Sequence, residues 1–357
     1  MTETIKAWID RYFSDPQVIS LAAVLVGGFA IIYFAGGMLA PVFASIVIAY
    51  LLESLVGLLE RSRLPRLVAV LVVFIAFMTL LLFVIFWLIP LLSSQASELL
   101  QQLPAILGGG QELLLALPEK YPDLISKAQV TDLIAQIRTE ALRFGQQALE
   151  VTFSSALGIL ALLVYLILMP LMVFFFLKDK IAIIEWVKNF LPSDRSLTGK
   201  VWADVDIQLG NYVRGKVIEI LIVWITCYTT FALMGMQFSM LLGALVGLSV
   251  VIPYVGAVTV TFPVAIIGYF QWGFSDDFAW LMIAYTIIQI LDGNVLVPLL
   301  FSEVVNLHPV AIVVAVLVFG GLWGFWGIFF AIPLATAVQA ILKSWPPARM
   351  PGDENPA

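Results

Sequence analysis

The sequence predicts an all-α polytopic membrane protein with about eight transmembrane helices, two of them interrupted, and an amphipathic helical segment outside the cytoplasm. Hydrophobic residues make up 62% of the 357 residues, and charged residues only 12%. A soluble globular protein carries roughly 25% charged residues, so most of this chain is expected to face lipid. The mean hydropathy of +1.04 indicates the same solvent.

Uncharged stretches of about 20 residues locate the membrane spans. Two of these stretches are longer than the others, and each is interrupted by a group of glycine and aromatic residues. Counting each interrupted stretch once gives eight spans, which are Val18–Phe34, Leu39–Leu59, Leu67–Leu92, Phe153–Leu177, Val217–Met234, Leu241–Phe270, Phe278–Leu300 and Pro309–Leu342.

These spans divide the chain into six regions. Glycine clusters predict helix breaks at Gly36-Gly37, between the first two spans, and at Gly108-Gly109-Gly110. The regions are residues 1–92 (a polar amino-terminal segment and the first three spans), 93–152 (extracytoplasmic amphipathic helices), 153–177 (the fourth span), 178–215 (a cytoplasmic amphipathic linker), 216–342 (the last four spans) and 343–357 (a disordered cytoplasmic tail).

Lysine and arginine residues cluster after the second span and after the fourth. Both clusters fall on one side of the membrane if the amino terminus is cytoplasmic, because cytoplasmic loops carry an excess of these residues. Eight spans then return the carboxyl terminus to the same side. The sequence thus predicts that both termini are cytoplasmic.

Several enzyme and binding classes are disfavoured. Cys227 and His308 are the only cysteine and histidine, whereas a structural zinc site needs four such ligands, so no metal or cofactor is predicted. A net charge of −6 argues against a nucleic-acid partner. Intramembrane proteolysis would need a histidine base beside a serine or a pair of aspartates, and Asp292 is the only aspartate well inside a span. His308, just before Pro309, is predicted to be a structural residue at a helix amino terminus.

One segment, Gly210–Val217, has the spacing of a phosphate-binding loop. Its last position is Val217, where that loop needs a serine or threonine to hold magnesium, and the preceding residues are typical of an amphipathic helix and not of a strand. We therefore predict only that a glycine here lets a cytoplasmic helix turn into the fifth span.

The two interrupted stretches favour a transporter. Backbone without helical hydrogen bonds persists at membrane depth only when it is buried in protein or lines a watery cavity. Paired discontinuous segments are a sequence indication of a transporter's binding site. The alternative is that both stretches are kinked helices packed through small residues.

Polar residues within the spans mark a candidate solute or ion pathway, because an ionisable group near the bilayer centre costs roughly 2.5–3.5 kcal/mol on insertion scales. The candidates from the seventh span and from the two interruptions are Pro253, Tyr254, Gly256, Gln289, Asp292, Asn294 and Gly324. Glu53 and Glu219 lie near predicted cytoplasmic ends, where an interfacial or ion-paired role is expected. Glu219 is three residues after Lys216, which predicts a local ion pair.

The motifs, in order, resemble the autoinducer-2 exporter family of bacterial inner-membrane proteins, also called PerM-like permeases. The resemblance covers nearly the whole chain. It rests on Ala49-Tyr50-Leu51-Leu52, Pro90 with Gln95, Leu103-Pro104, Phe175-Phe176-Leu177-Lys178-Asp179, Tyr212-Val213-Arg214-Gly215, Ile252-Pro253-Tyr254-Val255-Gly256, Asp292-Gly293-Asn294 with Pro298, Leu307-His308-Pro309, and Gly320–Gly327 with Pro333. Two positions depart from the family pattern: Lys216 stands where glutamine is common, and Asp292 where glutamate is frequent.

The resemblance implies an eight-span inner-membrane transporter that forms a homo-oligomer. Three hypotheses follow. The first is a secondary transporter that exports a small polar solute, such as an autoinducer-2-like signal. The second is an antiporter that exchanges sodium or lithium ions for protons, with Asp292 as the titrating acid. The third is a membrane scaffold that presents residues 93–151 to a partner without transporting anything.

Overall fold

The computed structural model describes residues 16–120, 156–189, 196–301 and 307–344, with a few further residues between 130 and 139. Every regular element in this part of the chain is helical, which confirms the predicted all-α class. The helices are α1 (Pro16–Arg61), α2 (Arg66–Phe83), α3 (Ile89–Lys120), α4 (Ala156–Lys178), α5 (Lys180–Lys188), α6 (Ser196–Leu233), α7 (Ser239–Ser249), α8 (Val255–Trp272), α9 (Asp276–Leu291), α10 (Val297–Phe301), α11 (Pro309–Phe329) and α12 (Ala331–Ser344).

Six helical stretches in the described residues are long and apolar enough to cross a bilayer: Met38–Arg61, Arg66–Ile106, Asp206–Leu233, Val255–Trp272, Asp276–Phe301 and Pro309–Phe329. Their surfaces carry large exposed apolar side chains such as Phe86, Phe262 and Leu299. Such surfaces suit lipid and not water. Residues 93–120 lie in α3, whereas 121–129, 140–155 and 345–357 lie outside the described residues. The predicted sides of the membrane for 93–152 and 343–357 stay predictions.

Two predicted helix breaks are absent. Helix α1 runs through Gly36-Gly37 without a break, and at 46 residues it is about 69 Å long, more than twice the ~30 Å hydrocarbon core. Helix α3 likewise continues through Gly108-Gly109-Gly110. Both predictions were wrong because a glycine costs only about 1 kcal/mol in a helix interior, which long apolar neighbours can outweigh.

Two short π-helical segments join consecutive helices without ending them. Val84–Leu88 connects α2 to α3, and Asp292–Leu296 connects α9 to α10. The wider π turn changes which side chains face a neighbouring helix and occurs frequently at functional sites. In the second case the segment begins at Asp292.

Both interrupted stretches fold back on themselves as helical hairpins. In the first, α7 ends at Ser249, Tyr254 has a φ of 63°, and α8 begins at Val255. Gly256 lies against the Ser249 carbonyl group, and an added Cβ would collide with it. In a straight helix, residues seven apart are about 10 Å from each other along the axis, so this contact requires the chain to reverse.

Hydrogen bonds close the base of this hairpin, which we call hairpin A (Ser239–Trp272). The Gln271 side chain accepts a hydrogen bond from the Gln237 backbone N–H at 2.8 Å and donates one to the Gly235 carbonyl at 2.7 Å. Both arms of hairpin A therefore start beside the Leu233 end of α6. Helix α7 packs antiparallel to α6, since Gly243 lies against Tyr228 and Gly247 against Trp224.

The second interruption forms hairpin B (Pro309–Ser344). Its turn lies within α11, at Gly324 (φ 58°, ψ −133°), so α11 is not one straight helix, and Gly327 lies against the Phe319 carbonyl group. Hairpin B begins shortly after Phe301, whose ring lies against Gly215 in the other half of α6. The two hairpins thus enter from opposite directions along α6. The count of eight spans treated each interruption as a single crossing, and it is not confirmed.

Candidate functional site

The candidate site lies where the turn of hairpin A meets the middle of α6. Lys216 and Glu219 on α6 are 4% and 2% exposed, and they form an ion pair with 2.7 Å between Lys216 Nζ and Glu219 Oε2. The Lys216 ammonium also donates a hydrogen bond of 2.9 Å to the Val250 carbonyl, at the end of α7. A buried charge is costly unless it is paired and hydrogen-bonded, and the Lys216 ammonium meets both conditions. Glu219 is paired, but its Oε2 has no hydrogen-bond partner among the described residues.

The carboxyl end of α7 strengthens this arrangement. The last carbonyl groups of a helix carry a partial negative charge and have no intrahelical donor. Lys216 supplies both a positive charge and a donor at that point. Aromatic rings complete its surroundings, since Lys216 Nζ is 5.1 Å from the centroid of Phe301 and 6.0 Å from that of Tyr212.

Asp292 brings a second acid to the same place. Helices α9 and α10 pack against α6, and the charge of Asp292 interacts with those of both Lys216 and Glu219. Asp292 Oδ1 and Gln289 Nε2 are buried, and neither has a hydrogen-bond partner among the described residues. Two acids and one base give the cluster Lys216–Glu219–Asp292 a formal charge of −1.

An apolar core beside this cluster contains residues of both hairpins. Val251 from the turn of hairpin A and Phe329 from hairpin B belong to one apolar core that also contains Tyr212 and Phe301. The Tyr212 ring is 5.6 Å from that of Phe301 and 6.4 Å from that of Phe329. Any movement of either hairpin would therefore disturb the packing around Lys216.

The predicted site residues divide into three groups. Asp292 and Gln289 lie at the cluster. Gly256 and Gly324 shape the hairpin turns, and Pro253 lies in the first of them. Tyr254 is 61% exposed, and Asn294 points to solvent or lipid with its amide donating to the Ile290 carbonyl at 2.9 Å.

Sequence reasoning underestimated two residues and misjudged one segment. The predicted Lys216–Glu219 pair is present, but it belongs to the interior of the protein and not to an interfacial end. The segment Gly210–Val217 is continuous helix, so the predicted turn was wrong. Its glycines instead allow close packing: a Cβ on Gly210 would meet the Tyr50 hydroxyl at 2.5 Å, and one on Gly215 would meet Phe301 at 2.8 Å.

Two other predictions are confirmed. Glu53 is ion-paired, with distances of 3.4 Å to Arg66 and 3.1 Å to Lys180. His308 caps the amino terminus of α11, where its Nδ1 accepts a hydrogen bond of 3.2 Å from the Val310 backbone N–H.

A cavity of about 270 Å³ lies elsewhere, at the base of hairpin A. Its lining includes the side chains Gln102, Gln237, Phe270 and Gln271. None of the residues predicted as a pathway lines this cavity, and neither do Lys216 and Glu219. Because Lys216 and Glu219 are almost fully buried, the candidate site is a packed polar cluster beneath a hairpin turn, and a solute could reach this pair only if the packing opened.

Comparisons with known proteins identify relatives over nearly the whole chain. The sequence profile described as AI-2E family transporter matches residues 22–347. The chain is 43% identical to the protein named "Putative permease PerM" of Escherichia coli (strain K12), over 97% of this chain and 98% of the relative. It is 29% identical to "Putative transport protein YrrI" of Bacillus subtilis (strain 168), over 85% of this chain and 84% of the relative.

Proposed function

The chain belongs to the AI-2E family of transporters, and on that premise we propose that it exports a small polar solute, of the autoinducer-2 type, across the bacterial inner membrane. A multi-pass membrane transporter, and not an enzyme, is what the family and the relatives establish. The solute and the direction of transport are the proposal.

The observation that supports the site is a buried polar cluster that bonds to the turn of hairpin A and lies beside an apolar core shared by both hairpins. Transporters bind their solutes near the bilayer midplane at broken helices, whose free backbone groups replace the hydration of the solute. Here Asp292 Oδ1 and Gln289 Nε2 supply an acceptor and a donor that are buried and without protein partners in the described residues. Together they match the hydroxyl and carbonyl groups of a small polar solute.

These unpartnered groups also argue against a scaffold that transports nothing. A buried polar group left without a partner costs about 1–3 kcal/mol, so a purely structural interior would be expected to satisfy it. The cost is understandable if the groups are kept for a ligand.

A direct test uses proteoliposomes loaded with autoinducer-2. Purified wild-type protein should accelerate release of the solute relative to protein-free liposomes. Asp292→Asn should reduce that rate strongly, because it removes the charge while keeping the shape. Asn294→Ala is the matched control, since Asn294 lies two residues away and, among the described residues, its side chain bonds only to its own helix.

The two possible failures distinguish a wrong solute from a wrong site. Release no faster than from protein-free liposomes would exclude autoinducer-2 as the cargo. A wild-type rate in Asp292→Asn would instead remove Asp292 from the pathway.

A second candidate function is exchange of sodium or lithium ions for protons, which the negative formal charge of the cluster favours. Asp292 would then bind a cation or a proton in turn. Adding sodium ions to acid-loaded proteoliposomes should dissipate the pH gradient in this case, and no response at any pH would exclude it.

The orientation and assembly are proposed with the function. The lysine and arginine distribution supports a cytoplasmic location for both termini, and reporter fusions at residues 1 and 357 would test this. The family resemblance implies a homo-oligomer, which the mass of the purified protein in detergent would reveal.

A further inference from the structure

The ammonium group of Lys216 occupies a position with the features of a monovalent-cation site. Its neighbours are a carboxylate oxygen of Glu219 at 2.7 Å, the Val250 carbonyl oxygen at 2.9 Å and the ring of Phe301 at 5.1 Å. Carboxylate and carbonyl oxygens are the ligands of hard cations, and an aromatic face also attracts a cation. We propose that Lys216 is a built-in cation that fills this site, so that the hairpin turn needs no sodium or potassium ion.

The location of the site makes a positive charge necessary. Glu219 and the carboxyl end of α7, with its partial negative charge, both lie against Lys216, and Asp292 is within electrostatic range of Glu219. Without a cation these groups would repel one another in a buried setting. In broken-helix transporters, unwound carbonyl groups of this kind coordinate the coupling ion. Lys216 supplies the same charge from α6, through a covalent tether.

The tether changes what the site can do. A bound ion can leave with the solute, whereas the Lys216 ammonium can only swing away on its four-carbon stem and return. Hairpin A would then be locked and released by the making and breaking of the Lys216–Val250 bond, with no ion consumed in each cycle. This inference does not depend on which solute is carried, and it opposes the sodium-exchange candidate above.

The test measures ion binding and not transport, so its result does not depend on which solute the protein carries. The thermal unfolding temperature of the full-length protein in detergent is recorded in choline chloride and in lithium, sodium and potassium chloride at equal ionic strength. The proteins are wild type, Lys216→Gln and Lys216→Ser. Lys180→Gln is the control, because Lys180 also pairs with a glutamate (Glu53, 3.1 Å) but is 42% exposed.

The unfolding temperature of the wild type should be the same in all four salts, and so should that of Lys180→Gln. At least one of the two Lys216 variants should show a saturable rise of about 2–4 °C or more with one of the alkali cations, because an ion that binds only the folded state stabilises it. The double variant Lys216→Gln/Glu219→Gln should lose that rise, since the carboxylate ligand is gone.

Three results would overturn the inference. One is a saturable rise in the wild type with an alkali cation, which would show that an ion site exists beside Lys216 and would support the antiporter. Another is the absence of any cation response in both Lys216 variants. The third is failure of both variants to fold even in sodium- or potassium-containing buffer, because the inference requires such ions to refill the site.

Discussion

Lys216 and Glu219 form an ion pair of 2.7 Å one helical turn apart on α6, with side chains only 5% and 2% exposed. Removing one member of a buried pair leaves an uncompensated charge and costs about 3–5 kcal/mol, whereas exposed pairs contribute no more than about 1 kcal/mol. The pair therefore offers a clear contrast with the ion pairs at the surface of the same protein.

The first prediction is that Glu219→Gln lowers the free energy of unfolding by about 3–5 kcal/mol, because Lys216 then lacks its nearest carboxylate. Denaturant titration of the detergent-purified protein measures this loss. Glu53→Gln is the matched control and should lose no more than about 1 kcal/mol, since Glu53 is 22% exposed and its partners Arg66 and Lys180 remain solvated.

Replacing both members should be less harmful than replacing one. Lys216→Met/Glu219→Leu removes the buried charges together and should recover part of the loss seen in Glu219→Gln. Equal losses in Glu219→Gln and Glu53→Gln would contradict the buried position of the pair.

The second prediction concerns the two glycines that follow the hairpin turns. In Gly256→Ala the new Cβ meets the Ser249 carbonyl group, and in Gly327→Ala it meets that of Phe319. Because backbone cannot move aside as a flexible side chain can, each variant should lose about 1–3 kcal/mol or fail to fold.

The control for these glycine variants is Gly57→Ala, in the interior of α1. A Cβ at Gly57 has no atom within 4 Å. Gly57→Ala should therefore leave the free energy of unfolding unchanged or raise it by about 0.5–1 kcal/mol, since alanine is the better helix former. The thermal unfolding temperatures of the three variants test this prediction. Equal stability in all three would mean that the hairpins do not close as described.

The third prediction concerns Gly324, whose φ of 58° and ψ of −133° place it in a region that L residues rarely adopt. Its Cβ position is open space, so Gly324→Ala isolates the backbone conformation from steric contact. The substitution should cost about 1–3 kcal/mol and accelerate hydrogen exchange in hairpin B. Gly321→Ala, three residues earlier and also in open space, should leave exchange unchanged.

The features that the sequence predicted correctly are those that depend on the spacing of neighbouring residues along the chain. The Lys216–Glu219 pair follows from two charges three residues apart on a helix, and the cap at His308 follows from its place before Pro309. Both broken regions were visible as glycine and aromatic interruptions. Family motifs without an evident role also become interpretable: Gln95 on α3 accepts a hydrogen bond of 2.9 Å from the Leu241 backbone N–H, at the start of hairpin A.

The features that the sequence did not predict depend on packing between distant helices. Asp292 comes within electrostatic range of Glu219 only because α9 and α6 pack together, and their separation along the chain gives no sign of it. Asn294 was grouped with Asp292 because it is near in sequence, yet its side chain is exposed and donates a hydrogen bond to the Ile290 carbonyl. The reversal at each hairpin was invisible because a kink and a turn use the same residue types.

The fourth prediction uses the one cysteine as a probe of the interface between hairpin A and α6. Cys227 is fully buried in a core with Phe231, Leu242, Val264 and Tyr285, which come from α6, α7, α8 and α9. A thiol there cannot react until hairpin A moves away from α6. We expect the native protein to resist a small maleimide under conditions that fully label it after unfolding in detergent.

A cysteine at an exposed position provides the reference rate for this labelling. Phe274, in the connection after hairpin A, is 86% exposed, so Phe274→Cys in a Cys227→Ser background should react rapidly in the folded state. If Cys227 reacts as fast as the cysteine at position 274, the interface opens freely and the packed arrangement is not the dominant one. If Cys227 reacts only when a transported solute is added, hairpin A or α9 moves away from α6, because both pack over Cys227.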